Sequence, residues 1–145
     1  MRRLKKTNKW LGLSDYGIPE KFDTYELGDY DFSSDLDFHE IAAVYIFTER
    51  DNYSSSNPSF EKEMYKHTLI YCGMTGNTNE RFKEHFHKNE ILGHKANRIS
   101  LCFCKNEDDA KSLERSILET FSFPVNERGN ESPKYPDVTQ VWEEF

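Results

Sequence analysis

The sequence predicts an α+β fold: a small, mostly antiparallel sheet of three strands flanked by helices. Three apolar runs rich in β-branched and aromatic residues, at positions 41–48, 68–72 and 99–104, have the composition of buried strands. Two further segments, 77–91 and 108–121, repeat apolar residues three and four positions apart, as amphipathic helices do. Because the chain order is strand, strand, helix, strand, helix, we expect one layer of strands with helices packed on it.

A long connection joins the first two predicted strands. Residues 50–66 contain the stretch Ser54-Ser-Ser-Asn-Pro58, and this composition predicts a loop. The second strand ends at Gly73. We therefore expect a hairpin whose strands pair only over the two apolar runs.

Both predicted helices have recognisable starts. Asn77 is a candidate N-cap, with Glu80 three residues later as in a capping box, and Phe82 and Phe86 should face the core. In the second helix, acidic residues near position 108 suit the N-terminal end of the helix dipole. Its apolar stripe consists of Ala110, Leu113, Ile117 and Phe121, and Phe123-Pro124 ends it.

The 145 residues suit a single domain, which we divide into three parts. Residues 1–40 are an N-terminal extension, residues 41–126 the folded domain and residues 127–145 a C-terminal tail. The net charge of −7 argues at first sight against a nucleic-acid partner. However, residues 1–9 carry +5 and residues 10–40 carry −8. Most of the negative charge therefore precedes the folded domain.

The chain has the features of an intracellular protein. No run of ~18 apolar residues predicts a membrane span, and the basic N-terminus lacks the apolar stretch of a signal peptide. Cys72, Cys102 and Cys104 form no disulfide-like framework, which fits a reducing, cytoplasmic compartment. Small buried side chains explain these cysteines better than a zinc site, because no pair has the spacing usual for zinc ligands.

Two groups of charged residues are candidates for chemistry. Arg81, His85 and Lys88 recur at i, i+4 and i+7, so they share one helix face. That face could grip a phosphate, or it could be an ordinary solvated surface. Glu114 falls on the apolar stripe of the later helix, where an ionised carboxylate is costly unless it is paired or bound to a metal. A buried ion pair and a metal site explain Glu114 equally well.

Tyrosines stand in both strands of the predicted hairpin. Tyr45 and Tyr71 can each be a core side chain with a satisfied hydroxyl group. Gly73 would permit a ligand or a helix to approach the backbone closely. Asn126, just past Pro124, is either a turn residue or a hydrogen-bonding brace.

Taken together, these residues resemble the GIY-YIG nucleases. Ala43-Val-Tyr45 is similar to the first tripeptide of that family and Tyr71-Cys-Gly73 to the second. Arg81 follows the second tyrosine by ten residues and His85 follows Arg81 by four, as in the family. The remaining matches, which complete a resemblance over residues 41–126, are Thr75, Glu114 and Asn126.

The sequence departs from the family pattern in two ways. Ala43 stands in place of the first glycine and Cys72 in place of the second isoleucine, although both tyrosines are kept. The connection from Tyr45 to Tyr71 is also longer than the short hairpin usual in the family. The role of this connection is therefore open.

The resemblance implies a metal-dependent endonuclease that hydrolyses DNA phosphodiester bonds. In the family scheme, Glu114 holds one Mg²⁺ (or Mn²⁺) ion and Arg81 stabilises charge in the transition state. Tyr45 or Tyr71 orients or deprotonates the attacking water, and His85 assists. The residues expected to contact the substrate are Gly73, Thr75, Lys88 and Asn126.

Two other interpretations compete with the nuclease. A catalytically weakened domain of the same family would bind nucleic acid or a protein without cutting. An unrelated structural protein would have to match the family positions by chance. Retention of the key polar residues favours the enzyme. The sequence leaves the oligomeric state and the preferred cleavage site open.

Overall fold

A computed structural model describes residues 5–26, 42–57, 62–76, 95–126 and 137–142, together with residue 135. These residues form six strands, one short 3-10 helix and one α-helix. Neighbouring strands are antiparallel, and their order across the sheet is β1-β2-β5-β3-β4-β6. The elements are β1 (Lys5–Gly12), the 3-10 helix (Ser14–Tyr16), β2 (Lys21–Glu26), β3 (Ala43–Asn57), β4 (Lys62–Thr75), β5 (Arg98–Phe103), α1 (Glu107–Thr120) and β6 (Asp137–Trp142).

The sheet is strongly curled. β1 and β6 are its two edge strands, yet some of their Cα atoms lie within 8 Å of each other. Strand twist accumulates across a sheet of this width, and register shifts in the β1–β2 and β3–β4 pairs increase it. The two edges that a flat sheet would hold far apart are therefore neighbours.

The α+β class is confirmed, but the prediction of three strands is wrong. β3, β4 and β5 contain the three predicted apolar runs, and β1, β2 and β6 extend the sheet on both sides. β1 contains Lys5, Lys6 and Lys9 and lies at the edge, where charged residues are usual. β2 is short, and its buried Phe22 and Thr24 alternate with polar residues in an acidic stretch. Apolar content alone therefore did not reveal these strands.

The connection predicted to be a loop is largely strand. β3 continues to Asn57 and β4 begins at Lys62, with Ser54 opposite Tyr65. Residues 137–142, predicted to be part of a tail, form β6 and pair with this extension of β4. Serine and asparagine have low strand propensity, but hydrogen bonding to neighbouring strands outweighs it here.

Apolar side chains pack on both faces of the sheet. On the first face, which we call the helix face, α1 buries Ala110, Leu113 and Ile117 against strand residues that include Val44, Ile46, Leu69 and Cys72. Because side chains alternate along a strand, the residues between them point to the opposite face. That second face, which we call the tyrosine face, buries Tyr25, Tyr45, Phe47, Ile99 and Leu101.

α1 agrees closely with the sequence prediction. It starts at Glu107, and the Asn106 side chain accepts a hydrogen bond of 2.8 Å from the Asp109 N–H. This cap and the acidic first turn both stabilise the N-terminal end of the helix. The buried stripe of α1 is the one that the apolar spacing predicts.

Two features lie outside the described residues: the predicted helix over residues 77–91, and residues 27–40 of the acidic stretch that precedes the predicted domain. In the part of the chain that is described, no helix has both the length and the apolar character needed to cross a membrane.

Candidate active site

Tyr45 and Gly73 are direct partners across the β3–β4 pair. Tyr45 is fully buried, and its ring lies over the glycine. A Cβ atom at position 73 would lie 2.5 Å from the Tyr45 hydroxyl oxygen, so a larger residue would displace the ring. The tyrosine of the first tripeptide and the glycine of the second are therefore packed against each other.

Tyr71 lies beside this pair because it is two residues before Gly73, and an irregularity in β4 directly precedes Tyr71. Phe47 pairs with Tyr71, but the next residue of β3, Thr48, pairs with Leu69, so Ile70 is an extra residue, as in a β-bulge. The Tyr71 ring centroid is 6.2 Å from that of Tyr45 and 6.4 Å from that of Phe47. Tyr71 is partly exposed, so it is the more accessible of the two tyrosines.

Glu114 lies on α1, at the flank of its buried stripe. The carboxyl group is half-buried, and this burial raises its pKa. The stripe of α1 packs in one cluster with Cys72, the middle residue of the second tripeptide. Burial, and to a smaller extent the charge of Glu114, raise the pKa of the Cys72 thiol well above its ordinary value. Among the described residues, Glu114 has no hydrogen-bond or ion-pair partner. The described residues therefore provide no ion-pair partner for Glu114.

Asn126 closes the outer edge of β4. Its Nδ2 group donates to the Cys72 carbonyl oxygen and its Oδ1 atom accepts from the Cys72 N–H, each at 2.9 Å. The Val125 N–H donates to the Ile70 carbonyl oxygen in the same way. Val125 and Asn126 therefore take the place of a neighbouring strand along this part of β4. Of the two roles that the sequence allows for Asn126, the structure has the hydrogen-bonding brace. No local pattern in the sequence identifies the Cys72 backbone as its partner.

Thr75 is the last residue of β4, is partly exposed and pairs with Ala43. The next residue, Gly76, lies beside the first turn of α1, because a Cβ atom there would be 3.0 Å from a Glu107 carboxylate oxygen. The exposed end of β4 and the N-terminal end of α1 are therefore adjacent.

The described residues bring together part of the expected site. Tyr45, Tyr71 and Gly73 lie together on the tyrosine face, whereas α1, which carries Glu114, packs on the helix face. β4 contributes to both faces: Tyr71 and Gly73 lie on the tyrosine face, and Cys72, whose backbone bonds Asn126, lies on the helix face. The tyrosines and the helix that carries Glu114 therefore lie on opposite faces of the sheet. Arg81, His85 and Lys88 lie outside the described residues, so their position beside either group stays a prediction.

A family model described as the GIY-YIG catalytic domain matches residues 42–127, more than half of the chain. No curated protein and no solved structure matches the chain significantly. The family match includes both tripeptides, all of α1 and Asn126, and it starts and ends within one residue of the expected segment 41–126. The chain therefore belongs to the GIY-YIG family.

Proposed function

We propose that this protein is a metal-dependent endonuclease that hydrolyses DNA phosphodiester bonds. The observation that carries the proposal is the half-buried Glu114, whose pKa is raised by burial and which has no polar partner among the described residues. A carboxylate in that environment opposes folding unless a cation compensates it when the site is in use. Membership of a nuclease family supplies the chemistry that such a cation would serve.

Glu114 suits a magnesium or manganese ion. Magnesium prefers oxygen ligands and is often held by one or two carboxylates, while water and phosphate oxygens fill its other positions. A site of this type needs no cluster of three protein ligands, and none is present among the described residues. When bound, the ion would supply Lewis-acid stabilisation of charge on the phosphate.

The two tyrosines have different roles in this proposal. Tyr45 is fully buried against Gly73, so its role is to pack β3 against β4 where the two strands pair. Tyr71 is partly exposed, so its hydroxyl group orients the attacking water. A tyrosine has an ordinary pKa of ~10, so Tyr71 takes the proton only if nearby cations lower that value. Arg81 and His85, supplied by the family resemblance, are the proposed cations.

The other proposed substrate contacts differ in accessibility. Thr75 is partly exposed at the end of β4, where its hydroxyl group can contact a phosphate. Lys88, which lies outside the described residues, would add a second phosphate contact. The Asn126 amide already holds the Cys72 backbone, so we assign it the positioning of β4 rather than direct binding.

We also propose the domain division into residues 1–40, 41–126 and 127–145. Its support is that the family match covers only the central part, residues 42–127. The flanking parts each add strands to the sheet, since β2 pairs with β5 and β6 pairs with β4. They are additions to the catalytic domain rather than independent units.

A weakened, non-cutting domain is the second candidate. The observation in its favour is that Tyr45 is completely buried, which is the environment of a structural tyrosine. Such a protein would bind DNA through the same surface and leave the backbone intact.

Incubation with supercoiled plasmid tests the two candidates. We expect nicked and linear products with Mg²⁺ or Mn²⁺ and none with EDTA. Glu114→Gln should abolish cleavage and leave thermal stability unchanged or slightly raised, because it removes a half-buried charge. The matched control is Glu119→Gln, an exposed residue of the same helix, which should cut normally.

One result would contradict the nuclease proposal, and a second would contradict the metal-binding role of Glu114. If the wild-type protein binds plasmid but does not cut it with either metal, the weakened domain is correct. If Glu114→Gln cuts normally and is strongly destabilised, Glu114 is a structural ion-pair partner, because breaking a buried pair costs ~3–5 kcal/mol.

A further inference from the structure

The tyrosine face extends beyond the family domain into the N-terminal strands. Tyr45 pairs with Leu101 of β5, Leu101 pairs with Asp23 of β2, and Asp23 pairs with Trp10 of β1. Directly paired residues point to the same face of a sheet. A single row therefore connects the buried Tyr45 with Trp10 near the N-terminus.

In the adjacent row on this face Ala43 is buried, but the side chains beyond it towards β2 are exposed. Phe103 pairs with Ala43, and with 37% of its surface accessible it is an exposed large apolar side chain. Lys21 lies two residues before Asp23, so the alternation of β2 places it on the same face, beside Phe103. Lys21 is exposed, and its Nζ atom lies 4.2 Å from the centroid of the Trp10 ring.

This arrangement combines a surface ring with a positioned cation. The Trp10 ring holds the Lys21 ammonium group by a cation–π interaction, which limits where the charge can move. Neighbouring strands are ~4.8 Å apart, so Lys21 lies roughly 10 Å from Ala43 and ~14 Å from Thr75. Phosphates of each duplex strand recur every ~3.4 Å of helix axis, so this distance spans about four duplex steps, and an extended single strand covers it with no more than about four nucleotides.

We propose that Lys21, held by Trp10, and Phe103 form a second contact for the nucleic-acid strand that enters the active site. Lys21 would bind a phosphate, and the Phe103 ring would stack on an unpaired base. This inference rests on the proposed nuclease function and adds a preference for substrates with a single-stranded segment next to the cut.

The charges nearby favour this occupant and define its limits. β1, the strand of Trp10, adds the basic residues Lys5, Lys6 and Lys9 to this edge of the sheet, of which Lys5 and Lys6 pair with the end of β2 opposite to Lys21. Asp23 lies on the same face, in the row that contains Tyr45, and would repel a phosphate. Because the Lys21 Nζ atom lies over Trp10, which pairs with Asp23, a bound phosphate has to approach this lysine from the Phe103 side.

The experiment measures DNA binding directly, in EDTA, so that cleavage cannot interfere. The probes are a fluorescein-labelled blunt duplex and the same duplex with a single-stranded overhang of about four nucleotides. The variants are Lys21→Gln, Lys21→Arg and Phe103→Leu, and each is checked for an unchanged melting temperature. The matched control is Lys111→Gln, which removes an exposed lysine from α1, on the opposite face of the sheet.

Lys21→Gln should weaken binding to the overhang probe by about threefold or more. The salt slope, which is the slope of the log binding constant against the log salt concentration, should fall in magnitude by about 0.7–0.9. Lys21→Arg should restore both values, and Lys111→Gln should leave both unchanged. Phe103→Leu should lose about fivefold affinity for the overhang probe, with little change on the blunt duplex.

Wild-type affinity and salt slope in Lys21→Gln would overturn the proposal, even if Phe103→Leu did not fold. An equal loss in Lys111→Gln would also overturn it, because the effect would then be general charge. These outcomes are independent of cleavage. Binding that depends on Lys21 in a protein that cannot cut plasmid would support the contact and refute only the nuclease.

Discussion

A buried histidine makes the fold sensitive to acid. His67 of β4 is fully buried, and its Nδ1 atom lies 2.8 Å from the Thr48 hydroxyl oxygen. Burial is the main cause that lowers the pKa of His67 to about 3, and the charges of Arg50 and Arg98 lower it further. The folded protein therefore holds His67 as a neutral imidazole throughout the physiological range.

The pKa difference fixes both the sign and the size of the effect. An unfolded histidine has a pKa of ~6.5, so below that pH the unfolded chain binds a proton that the folded protein excludes. Stability is fully present above pH ~6.5 and is lost as the pH falls towards the folded value of about 3. The pKa difference lowers the free energy of unfolding by about 5 kcal/mol in total. About 2 kcal/mol of this is lost between pH 7 and pH 5.

Urea denaturation followed by intrinsic fluorescence, at pH 7, 6 and 5, measures this loss. His67→Gln keeps a side chain that can bond Thr48 but cannot titrate, so its stability should change less over the same range. Burial also raises the pKa of Glu114, which acts in the opposite direction because the folded state then binds its proton first. The difference between wild type and His67→Gln isolates the histidine. Parallel pH profiles for the two proteins would refute the reasoning.

Two further predictions concern the active-site strands. Gly73→Ala should cost about 1–3 kcal/mol of stability and lower cleavage, because its Cβ atom would displace the Tyr45 ring. Gly76→Ala, which meets only a flexible carboxylate, should be nearly neutral in the same denaturation and plasmid assays; an equal cost for both would contradict the argument. Asn126→Ala should cost about 2–3 kcal/mol, since it leaves the Cys72 N–H and carbonyl without their partner. An unchanged urea midpoint in that variant would show that water replaces the amide.

The parts of the fold that the sequence predicted are those that depend on local pattern. The buried stripe of α1 and the apolar runs in β3, β4 and β5 follow from periodicity, and the two tripeptides together with Glu114 follow from family spacing. The parts that it missed depend on partners far away in the chain. The polar residues 51–57 become strand through pairing with β4, and the Asn126 amide bonds the backbone of a residue 54 positions earlier. His67 was missed because a single histidine between polar neighbours gives no sign of burial.

The short stretch of β4 from Tyr71 to Gly73 is held on three sides. Tyr45 covers Gly73 on the tyrosine face, Asn126 bonds the edge at Cys72, and Cys72 itself is fully buried on the helix face near Glu114. This arrangement explains why cysteine can stand where the family has isoleucine. Burial and the adjacent carboxylate raise the pKa of the thiol, so Cys72 stays neutral and packs as a small apolar side chain. It therefore adds no second negative charge beside Glu114, and the carboxylate that the proposed mechanism assigns to the metal keeps a well-defined environment.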